Sequence, residues 1–271
     1  MKNDRVERGV APIIEFLTVA ALTSLLFALS ISRFPIADRT PVYFVLQGVE
    51  SASPALAAIV VTLLHGGKRG LKRFLAEKYF TAFRGVLCLV AFLAPMALLA
   101  ISKALSMAFA PSVVFIQQPS VGKAVIIIWA LIAEELGWRG FLQERVERLA
   151  GALFTPLIIG VVWGAWHFHR FMTGAMNEPF WALLLGCVFE SYAYFVITKL
   201  AKGNIVPVSI WHFSGNLFII MFALNPDANG GNPLPYITAS FVYGLCVTGF
   251  VIYMANANGI MFIDKVSKTH G

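Results

Sequence analysis

Trp129-Ala-Leu-Ile-Ala-Glu134-Glu135-Leu-Gly-Trp138-Arg139-Gly140-Phe141 is the stretch on which the fold turns. It lies in the apolar run 123–142, which matches the ~20 residues needed to cross a ~30 Å hydrocarbon core. Yet it carries two adjacent carboxylates and a guanidinium. A charge at the bilayer centre costs ~2.5–3.5 kcal/mol on insertion scales, so each one needs a reason. Glu135 and Arg139 are four apart and meet on one helix face as an acid-then-base pair, which lowers the cost of both. Glu134 points ~100° away around the helix and cannot share that arginine in the same way. One structural ion pair does not account for a second carboxylate. An unpaired carboxylate in a low-dielectric site suits a general base working near neutral pH, and Glu134 is that candidate.

Working outward, the 271 residues are 58% hydrophobic and only 13% charged, against ~45–50% and ~25% for an ordinary soluble domain. The mean hydropathy is +0.76. The 23 Phe and 6 Trp exclude a disordered chain. The expected fold is all-α: a polytopic membrane protein, one transmembrane domain over 1–271 with no soluble domain. Eight spans are expected at about 11–31, 41–64, 85–104, 123–142, 156–168, 180–199, 205–224 and 236–257. The first is longer than a signal-peptide core and lacks a convincing small-residue cleavage site, so it reads as an uncleaved helix. The second holds Gln47, Glu50 and Ser53-Pro54 and is expected to kink. Cys88, Cys187 and Cys246 all lie in apolar stretches, and an odd set without a CxxC pair is neither a disulfide framework nor a zinc knuckle.

Orientation follows from Lys and Arg in the short loops. With the N-terminus inside, the inner segments hold 15 basic residues and the outer ones five: Arg33, Arg39, Lys103, Lys123 and Arg170. Both termini are therefore expected in the cytoplasm. The net charge of +7 is concentrated in part at 66–78, a basic amphipathic segment suited to anionic lipid headgroups at ~1 kcal/mol per basic residue. No motif supports nucleic acid as a partner.

Two later spans each carry a histidine: Trp163-Gly-Ala-Trp166-His167, and Trp211-His212-Phe-Ser-Gly-Asn216. His212 and Asn216 are four apart and project from one face. Imidazole and carboxamide N–H groups are what a tetrahedral oxyanion requires. Thr155-Pro156 reads as an N-cap followed by proline at the first helical position. A helix starting there puts His167 ~16 Å from the inner face, level with Glu134, His212 and Asn216 near the midplane. Plainer roles suit other residues. His169 reads as an interhelical hydrogen-bond donor, Glu135–Arg139 as structural support, and Trp129, Trp138, Trp163 and Trp211 as packing, with Trp163 also a cavity wall. Nothing in the sequence assigns a role to Glu50 or Glu190.

Together, Glu134-Glu135-xxx-Arg139, Trp163-xxx-His167 and His212-xxx-Asn216 resemble the three motifs of the CAAX-protease and bacteriocin-processing (CPBP) family. These are intramembrane glutamate proteases that include the Ras-converting type of CAAX endopeptidase. The resemblance covers about 129–216, and Trp163 stands where Phe is common. It implies an intramembrane endopeptidase in which Glu134 with His167 activates a water, His212 and Asn216 form the oxyanion hole, and Glu135 and Arg139 hold the fourth helix. The implied substrate is a membrane-embedded or lipid-modified peptide, the CAAX type included, or a peptide precursor. No cofactor is expected. A carboxylate with two histidines is also a zinc-like set, although HExxH is missing, as are the GxGD and GxSG of other intramembrane proteases. A peptide-binding or immunity protein that does not hydrolyse is the alternative. A proton-coupled transporter would call for paired broken helices, and the chain has no visible internal symmetry.

Overall fold

The computed structural model describes residues 9–33, 41–111 and 114–262, and every regular element among them is helical. Helices α1 (Ala11–Arg33), α2 (Pro41–Ser51), α3 (Ser53–Tyr79), α4 (Gly85–Ser106) and α5 (Val121–Ala133) are followed by a π-helix at Leu136–Leu142. Then come α6 (Gln143–Trp166), the short α7 (Phe168–Met172), α8 (Phe180–Leu200), α9 (Val206–Met221) and α10 (Leu234–Ala257). The basic residues expected near the termini, Lys2, Arg5, Arg8, Lys265 and Lys268, lie outside the described residues, as do Arg39 and the Arg33 side chain.

The apolar composition faces outward. Leu22, Leu26, Val86, Ile128 and Phe241 are each more than half exposed, while Glu50, Glu134, Glu135 and Arg139 are buried. That inversion suits a bundle solvated by hydrocarbon, in which polar groups turn inward.

The expectation of eight separate spans is met in part. Among the described residues six helices are long and apolar enough to cross a membrane, or seven if one bent pair counts as a single span. The bent pair is the expected 41–64 span. It breaks into α2 and α3, which meet at 51°, with Pro54 in the first turn of α3, where its missing N–H has no helical partner to lose. The other difference is that 123–142 and 156–168 fall in one helical run of 52 residues, Val121–Met172. Straight, it would be ~78 Å long. It folds back instead: Trp163 hydrogen-bonds Glu134, 29 positions away, whereas a straight helix would hold them ~44 Å apart. The break is at Gly151, φ 73° and ψ 173°, a conformation open to a residue without Cβ. The expected start at Thr155-Pro156 is therefore corrected. Thr155 is no N-cap; its Oγ1 donates to the Gly151 carbonyl at 2.7 Å, and Pro156 lies inside α6.

Small residues bring the arms together. α6 packs along α8 through Gly160 and Gly164, four apart on one face. A Cβ at Gly160 would stand 2.6 Å from the Val188 Cα, and one at Gly164 would stand 2.5 Å from Leu184 Cδ1. This is the small-xxx-small contact by which membrane helices approach closely. The π-helix presses Gly137 onto Pro54 of α3 in the same manner. α9 packs against α4 and α5, and α10 against α4 and α8. The basic segment 66–78 continues α3 beyond a second break at Gly67. Lys68, Arg69, Lys72 and Arg73 are exposed there, while Phe74 and Lys78 are buried, with Lys78 paired to Glu144.

Candidate active site

Regular α-helix ends at Ala133. Glu134 takes φ −113° and ψ −46° as the cap, and the chain then winds as the π-helix. Such insertions are frequent at functional sites because they re-aim side chains. Here the two adjacent carboxylates acquire different neighbours.

Glu135 is fully buried. Its Oε1 accepts from Arg139 Nη1 at 3.1 Å and from His212 Nδ1 at 2.8 Å. Arg139 Nη2 donates to Ser191 Oγ at 2.9 Å, and the guanidinium carbon lies 4.6 Å from the Trp163 ring centre and 4.3 Å from that of Tyr194. A carboxylate, a hydroxyl and two aromatic faces thus surround this buried cation. The i,i+4 pair read from the sequence is present. The contact to His212 was not legible, because that residue lies 77 positions away on another helix.

Glu134 is held differently. Its Oε2 accepts from Trp163 Nε1 at 2.9 Å, so Trp163 is more than the packing residue the sequence suggested. His167 Nδ1 is 2.8 Å from the Trp163 carbonyl. A carbonyl only accepts, so the hydrogen-bond network assigns the proton to Nδ1 and leaves Nε2 as the lone-pair nitrogen. The Trp163 ring centre lies 5.7 Å from that of His167 and 5.3 Å from that of His212.

Glu134, Trp163, His167, His212 and Asn216 all line one cavity of ≈ 140 Å³, room for roughly four or five waters at ~30 Å³ each. Glu135 and Arg139 stand behind its wall. The cavity also takes in residues to which the sequence gave no function: Glu190, Tyr194, Tyr243 and Arg170. Glu190 Oε2 accepts from Trp211 Nε1 at 2.7 Å, and its other oxygen accepts from the Tyr243 hydroxyl. An intramembrane carboxylate was the available signal for Glu190. Tyr243 and Arg170 carried none, one being an ordinary helix tyrosine and the other a cation near a span end. His169 lies against Glu50 on α2, with Nε2 2.5 Å from Oε1, an interhelical ion-pair contact in place of the hydrogen bond read from the sequence, and a neighbour for a carboxylate that had no assigned role. Among the described residues no three His, Cys, Asp or Glu side chains are grouped to share a metal ion.

Residues 117–218 match the family of Rce1-like type II CAAX prenyl endopeptidases. The matched segment begins ahead of α5 and ends just past Asn216, so it contains all three motifs. It agrees with the resemblance drawn from the motifs alone. The match covers 102 of the 271 residues, and the long apolar helices on either side of it suit an integral membrane protein. No curated protein matches the chain.

Proposed function

We propose that the protein is an intramembrane endopeptidase in which Glu134 and His167 activate water, and His212 and Asn216 stabilise the oxyanion. The observation that carries this reading is the convergence of those four side chains, from both arms of a folded-back helix and from α9, on one buried cavity. Glu134 takes a proton as the water oxygen bonds to the scissile carbonyl carbon. The carbonyl oxygen becomes an anion facing His212 and Asn216. Collapse breaks the C–N bond and returns the proton to the leaving amine. His212 spends Nδ1 on Glu135, so it donates through Nε2 in the imidazolium state, with Glu135 as counter-ion. Trp163 aims Glu134, and Arg139 with Glu135 holds the two motif-bearing helices together. The reaction as written uses no metal ion.

The substrate class we favour is a membrane-associated or lipid-modified peptide, including the prenylated CAAX type named by the matched family. Supporting an active site near the midplane, Glu134 lies ~20 Å along the run from Val121, while His212 and Asn216 lie ~9 and ~15 Å along α9. The hairpin supports counting Val121–Met172 as two crossings, and the bent α2–α3 pair as one, giving eight. Both termini face the cytoplasm in this reading, with the exposed basic face of 66–78 against anionic headgroups.

The test is cleavage of an internally quenched farnesylated CAAX-type peptide by reconstituted protein, with and without chelator. Glu134→Gln and His212→Ala should abolish turnover, Asn216→Ala should lower kcat by ~10²–10³, and chelator should change nothing. Wild-type rates in Glu134→Gln would overturn Glu134 as the base, and a cellular activity that survives this variant while cleavage is lost would replace hydrolysis with peptide binding. Loss of activity on chelation would replace the metal-free mechanism.

A further inference from the structure

Arg170 is a buried cation that the proposed reaction does not use. It follows His167 by one helical turn, within α7, and lines the cavity shared by Glu134 and His212. It is 8% exposed. Its Nε and Nη2 have no hydrogen-bond partner among the described residues, and no ion pair there includes it. The Trp166 ring, 5.8 Å from its guanidinium carbon, braces the head without accepting from its N–H groups in their plane.

Arg139 shows how this protein buries an arginine for structure: carboxylate, hydroxyl and two rings surround it. Arg170 has one ring, and its Nε and Nη2 are enclosed without an acceptor at the wall of the cavity where the peptide would bind. Burying such a group is unfavourable unless something supplies acceptors. The guanidinium fork matches a carboxylate or a phosphate. On the peptidase reading the occupant of this cavity is a peptide. A peptide brings a carboxylate of its own at one end.

We propose that Arg170 is a specificity-determining clamp for the C-terminal α-carboxylate of the peptide substrate. The proposal rests on the peptidase reading above. His167 and Arg170 are separated by ~4.5 Å of helix rise, little more than one extended residue at ~3.3–3.6 Å. In this proposal the clamped carboxylate ends a short leaving peptide.

The experiment compares two forms of the farnesylated quenched peptide, one ending in a free acid and one in a carboxamide, on full-length protein in vesicles. Wild type should cleave the acid with ~10–100-fold higher kcat/KM, the range of a charged hydrogen bond, chiefly through KM. Arg170→Gln should bring the acid-to-amide ratio to about one, and Arg170→Lys should restore part of it. Equal cleavage of both forms by wild type, which needs no variant to fold, overturns the clamp and leaves the peptidase reading intact. So does an undiminished preference in Arg170→Gln. If wild type cleaves neither form, the peptidase reading fails, and equilibrium binding of an alanyl tripeptide as acid and as amide decides the clamp. Acid-selective binding that Arg170→Gln loses supports it; equal binding overturns it.

Discussion

Trp163→Phe would keep an aromatic ring beside both imidazoles and remove the N–H that Glu134 accepts. Because that bond aims the proposed base, the expected outcome is a fall in kcat of about tenfold or more with KM little changed, the size of a hydrogen bond to a charged group. Steady-state kinetics on the quenched peptide checks it; a change confined to KM would make Trp163 a substrate wall only. Glu134 and Glu135 are neighbours in sequence with opposite sensitivities. Glu134→Gln retains an oxygen for Trp163 and should fold as wild type. Glu135→Gln leaves Arg139 buried without its counter-charge and loosens His212, at ~3–5 kcal/mol for a broken buried pair. Thermal unfolding in detergent should show a large drop for Glu135→Gln and almost none for Glu134→Gln. On the proposed mechanism, adjacent letters divide into a chemical and a structural carboxylate. The i,i+4 spacing of Glu135 and Arg139 announced the second role, and Glu134 emerged by elimination.

At the scale of elements, the site depends on how closely α6 approaches α8. Gly160→Ala would put a Cβ 2.6 Å from the Val188 Cα and 3.0 Å from the Cys187 carbonyl oxygen. Both are backbone atoms that cannot rotate away, so the helices must part. Overpacking of this kind costs ~1–3 kcal/mol. The expected outcome is a lower unfolding temperature together with reduced turnover, since α6 carries Trp163 and leads into His167. Gly186→Ala, on α8 with no atom within 4 Å of an added Cβ, is the control for stability and should unfold as wild type. The helical character of these elements was legible, because long apolar runs admit no other backbone in a membrane. Their interruptions were less so. Ser53-Pro54 signalled the break after α2, but the reversal at Gly151 lay hidden. An isolated glycine is compatible with continuous helix, and its φ of 73° arises only when the two arms pack.

At the scale of the molecule, the basic residues gather at the end opposite to the one toward which the cavity opens. Lys68, Arg69, Lys72, Arg73, Arg145, Arg148, Lys199 and Lys202 cluster at one end, while the cavity runs past Arg170, Leu224 and Tyr236 toward the other. With the basic end in the cytoplasm, as the positive-inside rule directs, the peptide site would be reached from the opposite side of the membrane. Thiol labelling in intact cells checks this. Ala175→Cys, exposed beyond α7, should react with an impermeant reagent added outside, and Lys202→Cys, exposed after α8, should react only after permeabilisation. The reverse pattern would put the cavity mouth in the cytoplasm and invert the proposed orientation.

The letters alone determined what depends on composition and on local helix geometry. An apolar chain must satisfy its backbone internally, so it is helical, and residues four apart share a face, so Glu135 meets Arg139 and His212 lies beside Asn216. Only tertiary structure decided which distant groups touch: His212 against Glu135, Trp163 against Glu134, and Arg170 buried at the cavity with Nε and Nη2 lacking an acceptor. Those pairings depend on where Gly151 turns the chain and how near Gly160 and Gly164 let α8 come. Both are set by packing between helices, to which spacing within one helix is blind.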